Sequence, residues 1–216
     1  LDGPSVGHIR AQAARLGEWA GAGFVERDSA SGRLHNCYIL VDRQGAVVAT
    51  YRKLHRWWHR EREFFTAGDR FGLADTEFGR LGIMICYDGR FPEVARALTL
   101  EGAQLIVWPQ HWPWPPYARP QHLEILGRSR AIENSVYVAT VNRTGRDQAE
   151  GIVYCGHSFI ADPLGDFVAA GGEREGVLIG EVDTDLIAAT HARVNAFVER
   201  RPELYRSIVE RREPSS

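Results

Sequence analysis

The sequence predicts an α/β sandwich, in which helices cover the faces of β-sheets. Continuously apolar segments such as RLGIMICYD and AQLIVWP are typical of buried strands. They alternate with amphipathic segments typical of helices, such as FPEVARALTLEG and HLEILGRSRAIENS. Residues 37–53 and the segment GHSFIADPLGDFVAAGG each place a tight turn between two apolar runs, which predicts β-hairpins. The chain shows no repeat or linker, so we expect a single domain over residues 1–216.

The other elements follow in chain order. A helix is expected over residues 5–18, and AGFVER predicts a short strand before the DSASG turn. Residues 55–75 are polar, aromatic and irregular, which predicts a long functional loop. We expect QHWPWPPYARPQ to form a rigid loop, VYVATVN a strand, RTGRDQAEG a loop and GVLIGEVD a last strand. The tail from Asp185 is expected to be helical and charged.

Composition narrows the functional classes. The 216 residues hold 26 Lys and Arg against 28 Asp and Glu, so the chain lacks the basic excess typical of proteins that bind nucleic acid or anionic membranes. The longest apolar runs are too short to span a bilayer. Three scattered cysteines, without a C-x-x-C pair, favour neither a disulfide framework nor a structural zinc site. We therefore expect a cytoplasmic protein.

Cys86 is the strongest candidate for chemistry. It lies where an apolar strand gives way to the polar YDGR, just before a helix that opens with proline. Such a turn exposes a side chain and directs backbone N–H groups at it, which lowers the pKa of a thiol and can hold an oxyanion. Position alone leaves a buried core thiol equally open. Cys37 and Cys155 fall inside strands and are expected in the core.

Lys53 and Glu61 point to catalysis only in combination with Cys86. Each of them alone is most simply a solvated residue, Lys53 at a strand end and Glu61 in a loop. A buried lysine, carboxylate and cysteine brought together would form an amide-cleaving site. They would serve as the cation for an oxyanion, the acid–base partner and the nucleophile.

Six motifs together resemble one known family. They are YRKLH, EREFFTAGD, FGRLGIMICYDGRFPEVAR, GAQLIVWP, RSRAIENSVYVATVNRTG and GHSFIADPLGD. Their order and spacing resemble the carbon–nitrogen hydrolase (nitrilase) superfamily, in its amidase and N-carbamoyl amidohydrolase branch, from Asp2 to about Tyr205. The resemblance implies a four-layer α-β-β-α sandwich and a homodimer or larger homo-oligomer. It also implies hydrolysis of a non-peptide C–N bond in a linear amide or N-carbamoyl compound, through a thioester and without a cofactor.

The resemblance also implies the site residues. The nucleophile of the family falls on Cys86, its lysine on Lys53, and its additional glutamate on Glu61 rather than Glu63. Lys53 and the backbone N–H of Tyr87 would hold the oxyanion. Residues implied or considered around the substrate are Tyr87, His55, His59, Arg90 and Trp112.

One departure concerns the general base. The family places this glutamate in a P-E motif that ends an early strand, and that motif would precede Leu1. No acid near the start of the chain lies in such a motif, so no residue is assigned to the role. We expect the chain to be N-terminally incomplete, lacking the first strand and helix, and inactive by itself; a degenerate relative is the alternative.

Histidines four residues apart raise the question of a metal. His55 and His59 could bind zinc with Glu61 if this segment were helical. The segment lacks a helical apolar face and an obvious third ligand, so we favour no metal. Similar histidines in the carbamoylase branch line the active site, which makes a supporting role more plausible. This resemblance slightly favours an N-carbamoyl substrate over a simple amide.

Arg90 and the aromatic loop each have two interpretations. Arg90 could bind a substrate carboxylate, but an ion pair with Asp88 or Glu93 is favoured. His111, Trp112 and Trp114 follow a strand end, where specificity residues collect, although a rigid surface or dimer contact is equally open.

Three alternative functions stay open. Nitrile hydrolysis is disfavoured because the chain has CYD where nitrilases commonly have CWE. The others are a non-catalytic family member that acts by binding or assembly, and a histidine-dependent metallohydrolase.

Overall fold

A computed structural model describes residues 3–113, 119–194 and 196–210. The helices are α1 (Pro4–Leu16), α2 (Trp58–Phe64), α3 (Pro92–Leu100), α4 (Pro120–Asn134), α5 (Thr184–Arg193) and α6 (Arg206–Val209), with 3-10 turns at Cys86–Arg90 and Pro202–Leu204. The strands are β1 (Ala20–Arg27), β2 (Leu34–Val41), β3 (Val47–Arg52), β4 (Gly72–Thr76), β5 (Gly79–Ile83), β6 (Leu105–Gln110), β7 (Tyr137–Asn142), β8 (Thr144–Arg146), β9 (Val153–Cys155), β10 (Phe159–Ala161) and β11 (Phe167–Ala170).

The strands form two facing sheets and a small hairpin. One sheet is antiparallel, in the order β1-β2-β3. The other has the order β11-β10-β7-β6-β5-β4, with β5, β6 and β7 parallel and the outer pairs antiparallel. Helix α1 packs on the first sheet, while α3 and α4 pack on the second. The expected four-layer α-β-β-α sandwich is therefore confirmed.

Both faces of strand β2 are apolar, because it packs against another layer on each side. Ile39 and Val41 point towards α1 and pack with Val6. Their neighbours Tyr38 and Leu40 point the other way, towards the six-stranded sheet. Because successive side chains of a strand alternate between faces, a strand in an inner layer must be apolar at nearly every position.

The prediction of a continuous loop over residues 55–75 is wrong. The segment contains helix α2 and strand β4. Helix α2 buries none of its residues, so it has no apolar face for the sequence to show. Its first turn is fixed locally, because the backbone N–H of Trp57 donates to the carboxylate of Glu61.

Two other expectations need correction. The segment RTGRDQAEG contains β8, which pairs with β9 as a hairpin. The segment GVLIGEVD forms no regular strand, and the side chains of Val177 and Ile179 are 87% exposed. A strand requires hydrogen-bonded neighbours, and none of the described strands pairs with this segment.

Two cysteines and the C-terminal helix lie where the sequence predicts them. Cys37 and Cys155 are fully buried in strands. The helical tail begins at Thr184, where the side chain of Asp183 caps the first turn of α5. Within the described ranges, no helix is long and apolar enough to cross a membrane.

Candidate active site

Lys53 and Glu61 form a partly buried ion pair. Lys53 follows the end of β3, is 3% exposed, and donates from Nζ to Glu61 Oε2 at 2.6 Å and Oε1 at 2.9 Å. Asn36 of β2 donates from Nδ2 to the same Oε1 at 2.9 Å. These contacts fix the carboxylate of Glu61 and hold the ammonium group of Lys53 in place. The sheet and α2 thus bring together two residues that lie eight positions apart.

Cys86 lies in a strained turn at the end of the β5 segment. Its φ is 43°, in the left-handed region that non-glycine residues rarely adopt. The 3-10 turn Cys86–Arg90, called the Cys86 turn below, begins here. The buried indole of Trp108 donates from Nε1 to the carbonyl oxygen of Cys86 at 2.8 Å and holds the strained residue.

The Cys86 turn is anchored by the fully buried carboxylate of Asp88. Its Oδ2 accepts from the hydroxyl of Tyr51 at 2.7 Å and the backbone N–H of Ile85 at 2.9 Å. Its Oδ1 accepts from the backbone N–H and from the ring Nδ1 of His55, both at 2.9 Å. Arg130 adds two bonds to the carbonyl of Gly89, at 3.0 and 3.2 Å. The position of Cys86 is therefore set by β3, β6 and α4 together.

Replacing Gly89 by alanine is expected to destabilise the protein. A Cβ at this position would overlap the ring of Trp108, the same ring that holds Cys86. Overpacking of this kind costs about 1–3 kcal/mol. Gly7→Ala in α1 is the matched control, because no atom lies within 4 Å of its Cβ, and it should stabilise by about 0.5–1 kcal/mol. Urea unfolding measures both; equal stability of Gly89→Ala and wild type would contradict the packing.

Opposing effects act on the pKa of the Cys86 thiol. Burial raises its pKa above the ordinary range, while the charge of Lys53 and the backbone N–H of His111 lower it. The resting group is therefore a thiol whose thiolate is favoured by these two neighbours. Burial also raises the pKa of Cys37, to about 12, and the pKa of Cys155.

Alkylation by iodoacetamide is expected to select Cys86. Cys86 is half-buried on a cavity wall, whereas Cys37 and Cys155 are fully buried. Because thiolate is the reactive form and the pKa of Cys86 is raised, the rate should rise with pH and keep rising above about pH 8.5, the ordinary thiol value. Peptide mass spectrometry at several pH values measures it. Preferential labelling of Cys37 or Cys155 in the folded protein would contradict the assignment.

Cys86 opens into a cavity of about 660 Å³. Of the residues named from the sequence, it is lined by Cys86, Glu61, Tyr87, His59, Arg90, His111 and Trp112. Trp114 lies outside the described residues. The ring of His55 does not line the cavity. It is hydrogen-bonded to Asp88 and stacks on the ring of Phe91, with the two ring centroids 3.7 Å apart.

Arg90 departs from the favoured interpretation. It forms no ion pair with Asp88 or Glu93 within the described part of the chain. Its guanidinium group lies over the indole of Trp112 instead, 4.9 Å from the ring centre. The side chain therefore belongs to the cavity wall.

Part of the cavity was missed by sequence reasoning. The segment 57–60 and the β8–β9 hairpin contribute the remaining walls, which are Trp57, Trp58, Arg60, Pro113, Arg146, Glu150, Gly151, Ile152 and Val153. The aromatic and charged character of residues 55–75 was a signal for the first group. Nothing in the RTGRDQAEG segment marks it as a wall. In the described ranges, no three His, Cys, Asp or Glu side chains are grouped to hold a metal ion.

Comparison with known proteins identifies the family. The carbon-nitrogen hydrolase family model matches residues 1–192. A hydrolase in the pqqF 5′ region of Pseudomonas protegens is 40% identical over 211 residues, 97% of this chain and 72% of the relative. A carbon-nitrogen hydrolase from Helicobacter pylori G27 has a TM-score of 0.90 at 26% identity, covering 96% of this chain and 76% of that one.

A second solved structure is a mutant of the amidase from Nesterenkonia sp. AN1, which shows Michael addition of acrylamide at its active-site cysteine. It has a TM-score of 0.80 at 25% identity and covers 95% of this chain and 75% of that one. The match of the family model to most of the chain is decisive. The chain belongs to the carbon–nitrogen hydrolase family.

Proposed function

We propose that the protein hydrolyses the C–N bond of a small linear amide, with Cys86 as nucleophile, and releases ammonia. The observation that supports this proposal is that Cys86 and Glu61 line one cavity, while Lys53 is paired with Glu61 and its charge acts on the thiol of Cys86. The similarity to an amidase with a reactive active-site cysteine supports it. In this role the protein is a homo-oligomeric cytoplasmic enzyme that needs no cofactor; these properties stay predictions.

The reaction follows from the chemistry of the three residues. The sulfur of Cys86 bonds to the amide carbon, and the carbonyl oxygen becomes an oxyanion. Lys53 and the backbone N–H of Tyr87 hold that oxyanion, and each such donor lowers the barrier by about 3–4 kcal/mol. The C–N bond then breaks, and the NH₂ group leaves as ammonia after taking up the proton that the thiol gave up. Water attacks the resulting thioester, which releases the carboxylic acid and restores the thiol.

Glu61 acts in this mechanism by orienting Lys53. Both of its oxygens bond to the ammonium group, and Asn36 and Trp57 donate to it as well. Asp88 is equally occupied in anchoring the Cys86 turn. Among the described residues, neither carboxylate is placed as the base that takes the thiol proton, and we assign that role to neither.

We favour an amide over an N-carbamoyl compound as the substrate. The preference for an N-carbamoyl substrate rested on His55 and His59, and of these two only His59 lines the cavity. A nitrile fits less well, because its attack product is a thioimidate, whose charge develops on nitrogen. An oxyanion site suits a carbonyl oxygen.

Matched amide, N-carbamoyl and nitrile versions of one scaffold test this order. We expect the highest kcat/KM for the amide, with ammonia as a product. A tenfold preference for the nitrile, about 1.4 kcal/mol in transition-state binding, would overturn the proposal. Activity that survives Cys86→Ala and is lost with a chelator would favour a metallohydrolase instead.

A further inference from the structure

We propose that Asn142 is a positioning residue, which holds the backbone N–H of His111 against the sulfur of Cys86. This inference rests on the proposed role of Cys86 as nucleophile and adds a side chain on which the reactivity of the thiol depends. Asn142 ends β7 and is 7% exposed, and it is not among the described residues that line the cavity. It acts through residues 110–113, the segment in which β6 ends and the chain leaves the sheet, called the β6 exit below.

The backbone N–H of His111 faces the sulfur of Cys86. Together with the charge of Lys53 it favours the thiolate, against the burial that disfavours it. His111 and Cys86 line the same cavity, and the strands that lead to them, β6 and β5, are parallel neighbours in the sheet. Because the strength of a hydrogen bond depends steeply on its geometry, this donor supports the thiolate only while its peptide unit stays in place.

The chain is fixed on both sides of His111. Before it, the backbone carbonyl of Gln110 accepts from the N–H of Arg143 at 3.4 Å, which continues the pairing of β6 with β7. After it, Trp112 lies beyond the sheet and bonds to the side chain of Asn142. The backbone N–H of Trp112 donates to Oδ1 at 2.8 Å, and its backbone carbonyl accepts from Nδ2 at 3.4 Å. One amide side chain thus takes the place of a strand partner at this residue.

Asn142 is itself held by the chain that follows β9. Its Nδ2 donates to the carbonyl of Gly156 at 2.7 Å, and its backbone N–H donates to Ser158 Oγ at 2.9 Å. The backbone N–H of Cys155 adds a bond to the carbonyl of Trp112 at 3.3 Å. Since a buried polar group is costly to leave unpaired, these partners keep the amide in one orientation. The β6 exit is therefore tied to β7 and β9 through Asn142.

Removing the side chain of Asn142 leaves the charges around the thiol in place. The charged groups that act on the thiol are Lys53, Glu61 and Asp88. Titratable side chains on the cavity wall also include His59, Tyr87, Arg90 and His111. Within the described ranges, the side chain of Asn142 bonds to Trp112, Cys155 and Gly156, and to none of these groups. A neutral substitution at Asn142 should therefore affect the thiol through the β6 exit.

The pH dependence of Cys86 alkylation tests this role without requiring hydrolysis. We would measure the rate with iodoacetamide at several pH values, by peptide mass spectrometry, in wild type, Asn142→Ala and Asn134→Ala. Asn134 is the matched control, a fully buried asparagine whose Nδ2 donates at 2.8 Å to the carbonyl of Arg130 in its own helix. Asn142→Ala should raise the apparent pKa of the alkylation profile by about 1, the effect of weakening one hydrogen bond to a charged group.

The rate for Asn142→Ala should consequently fall about tenfold at neutral pH and recover at high pH. Asn134→Ala should follow the wild-type profile. Labelling of Cys37 and Cys155 in the same samples reports unfolding. If Asn142→Ala unfolds, Asn142→Ser carries the test, because it leaves a smaller cavity, and it should raise the apparent pKa in the same direction by a smaller amount.

Three results would overturn the role of Asn142. They are a wild-type profile in the folded Asn142 variant, a rate lowered by the same factor at every pH, and an equal rise of the apparent pKa in Asn134→Ala.

Ammonia release by the full-length enzyme separates this inference from the proposed function. Hydrolysis of an amide by wild type, with an unchanged alkylation profile in Asn142→Ala, would leave the proposed function standing and refute the role of Asn142. A raised apparent pKa in Asn142→Ala, in a protein whose wild type hydrolyses no amide, would support the role of Asn142 and refute the proposed function.

Discussion

Cys86→Ala should reduce kcat by at least about 10⁴-fold, because the proposed covalent intermediate forms on the sulfur of this residue. The variant should remain folded, since the residue is held through its backbone carbonyl, which bonds to Trp108, rather than through its sulfur. Steady-state ammonia release by the full-length enzyme measures kcat, and a thermal melt confirms folding.

The other two cysteines are the controls for this result. Cys37→Ala and Cys155→Ala remove buried sulfurs from strands and should reduce stability rather than kcat. Loss of activity in Cys155→Ala at unchanged stability, together with activity in Cys86→Ala, would contradict the assignment.

Lys53→Met should reduce kcat by about 10²–10³-fold, the effect of removing one oxyanion donor. It should also destabilise the protein by about 3 kcal/mol, because the largely buried carboxylate of Glu61 loses its partner. The double variant Lys53→Met/Glu61→Gln separates the two effects. Removing the uncompensated charge should restore stability, and kcat should stay low because the donor is still absent. Recovery of kcat in the double variant would show that Lys53 acts only through folding.

The parts of the fold that follow from local patterns were predictable. The apolar runs place β5, β6 and β7, and the change from RLGIMIC to YDGR places a turn at Cys86. Helix α2 was not predicted. None of its residues is buried, so its sequence lacks the regular spacing of apolar residues that indicates a helix. The segment GVLIGEVD has a strand-like composition but lacks a hydrogen-bonded neighbour among the described strands. Composition reports the tendency of a segment, and pairing decides the outcome.

The candidate site also has a part that the sequence predicts and a part that it does not. Motif order predicted Cys86, Lys53 and Glu61 as site residues, and the structure shows the contacts between the latter two. The partners of Asp88 come from β3 and from the segment before α2, and no sequence spacing reveals such long-range contacts. Arg90 illustrates the limit most clearly. Its acidic neighbours in sequence suggested an ion pair, but its partner is an indole 22 residues away.

The role of Cys86 as nucleophile is tested most directly by mass spectrometry of the enzyme quenched in acid during turnover of an amide. We expect the acyl group, without its ammonia, to be attached to the peptide containing Cys86. Hydroxylamine should remove the adduct, as expected for a thioester. An acyl group on another residue would contradict the assignment of Cys86 as nucleophile. So would full turnover without any adduct, under conditions in which alkylation of Cys86 leaves activity unchanged.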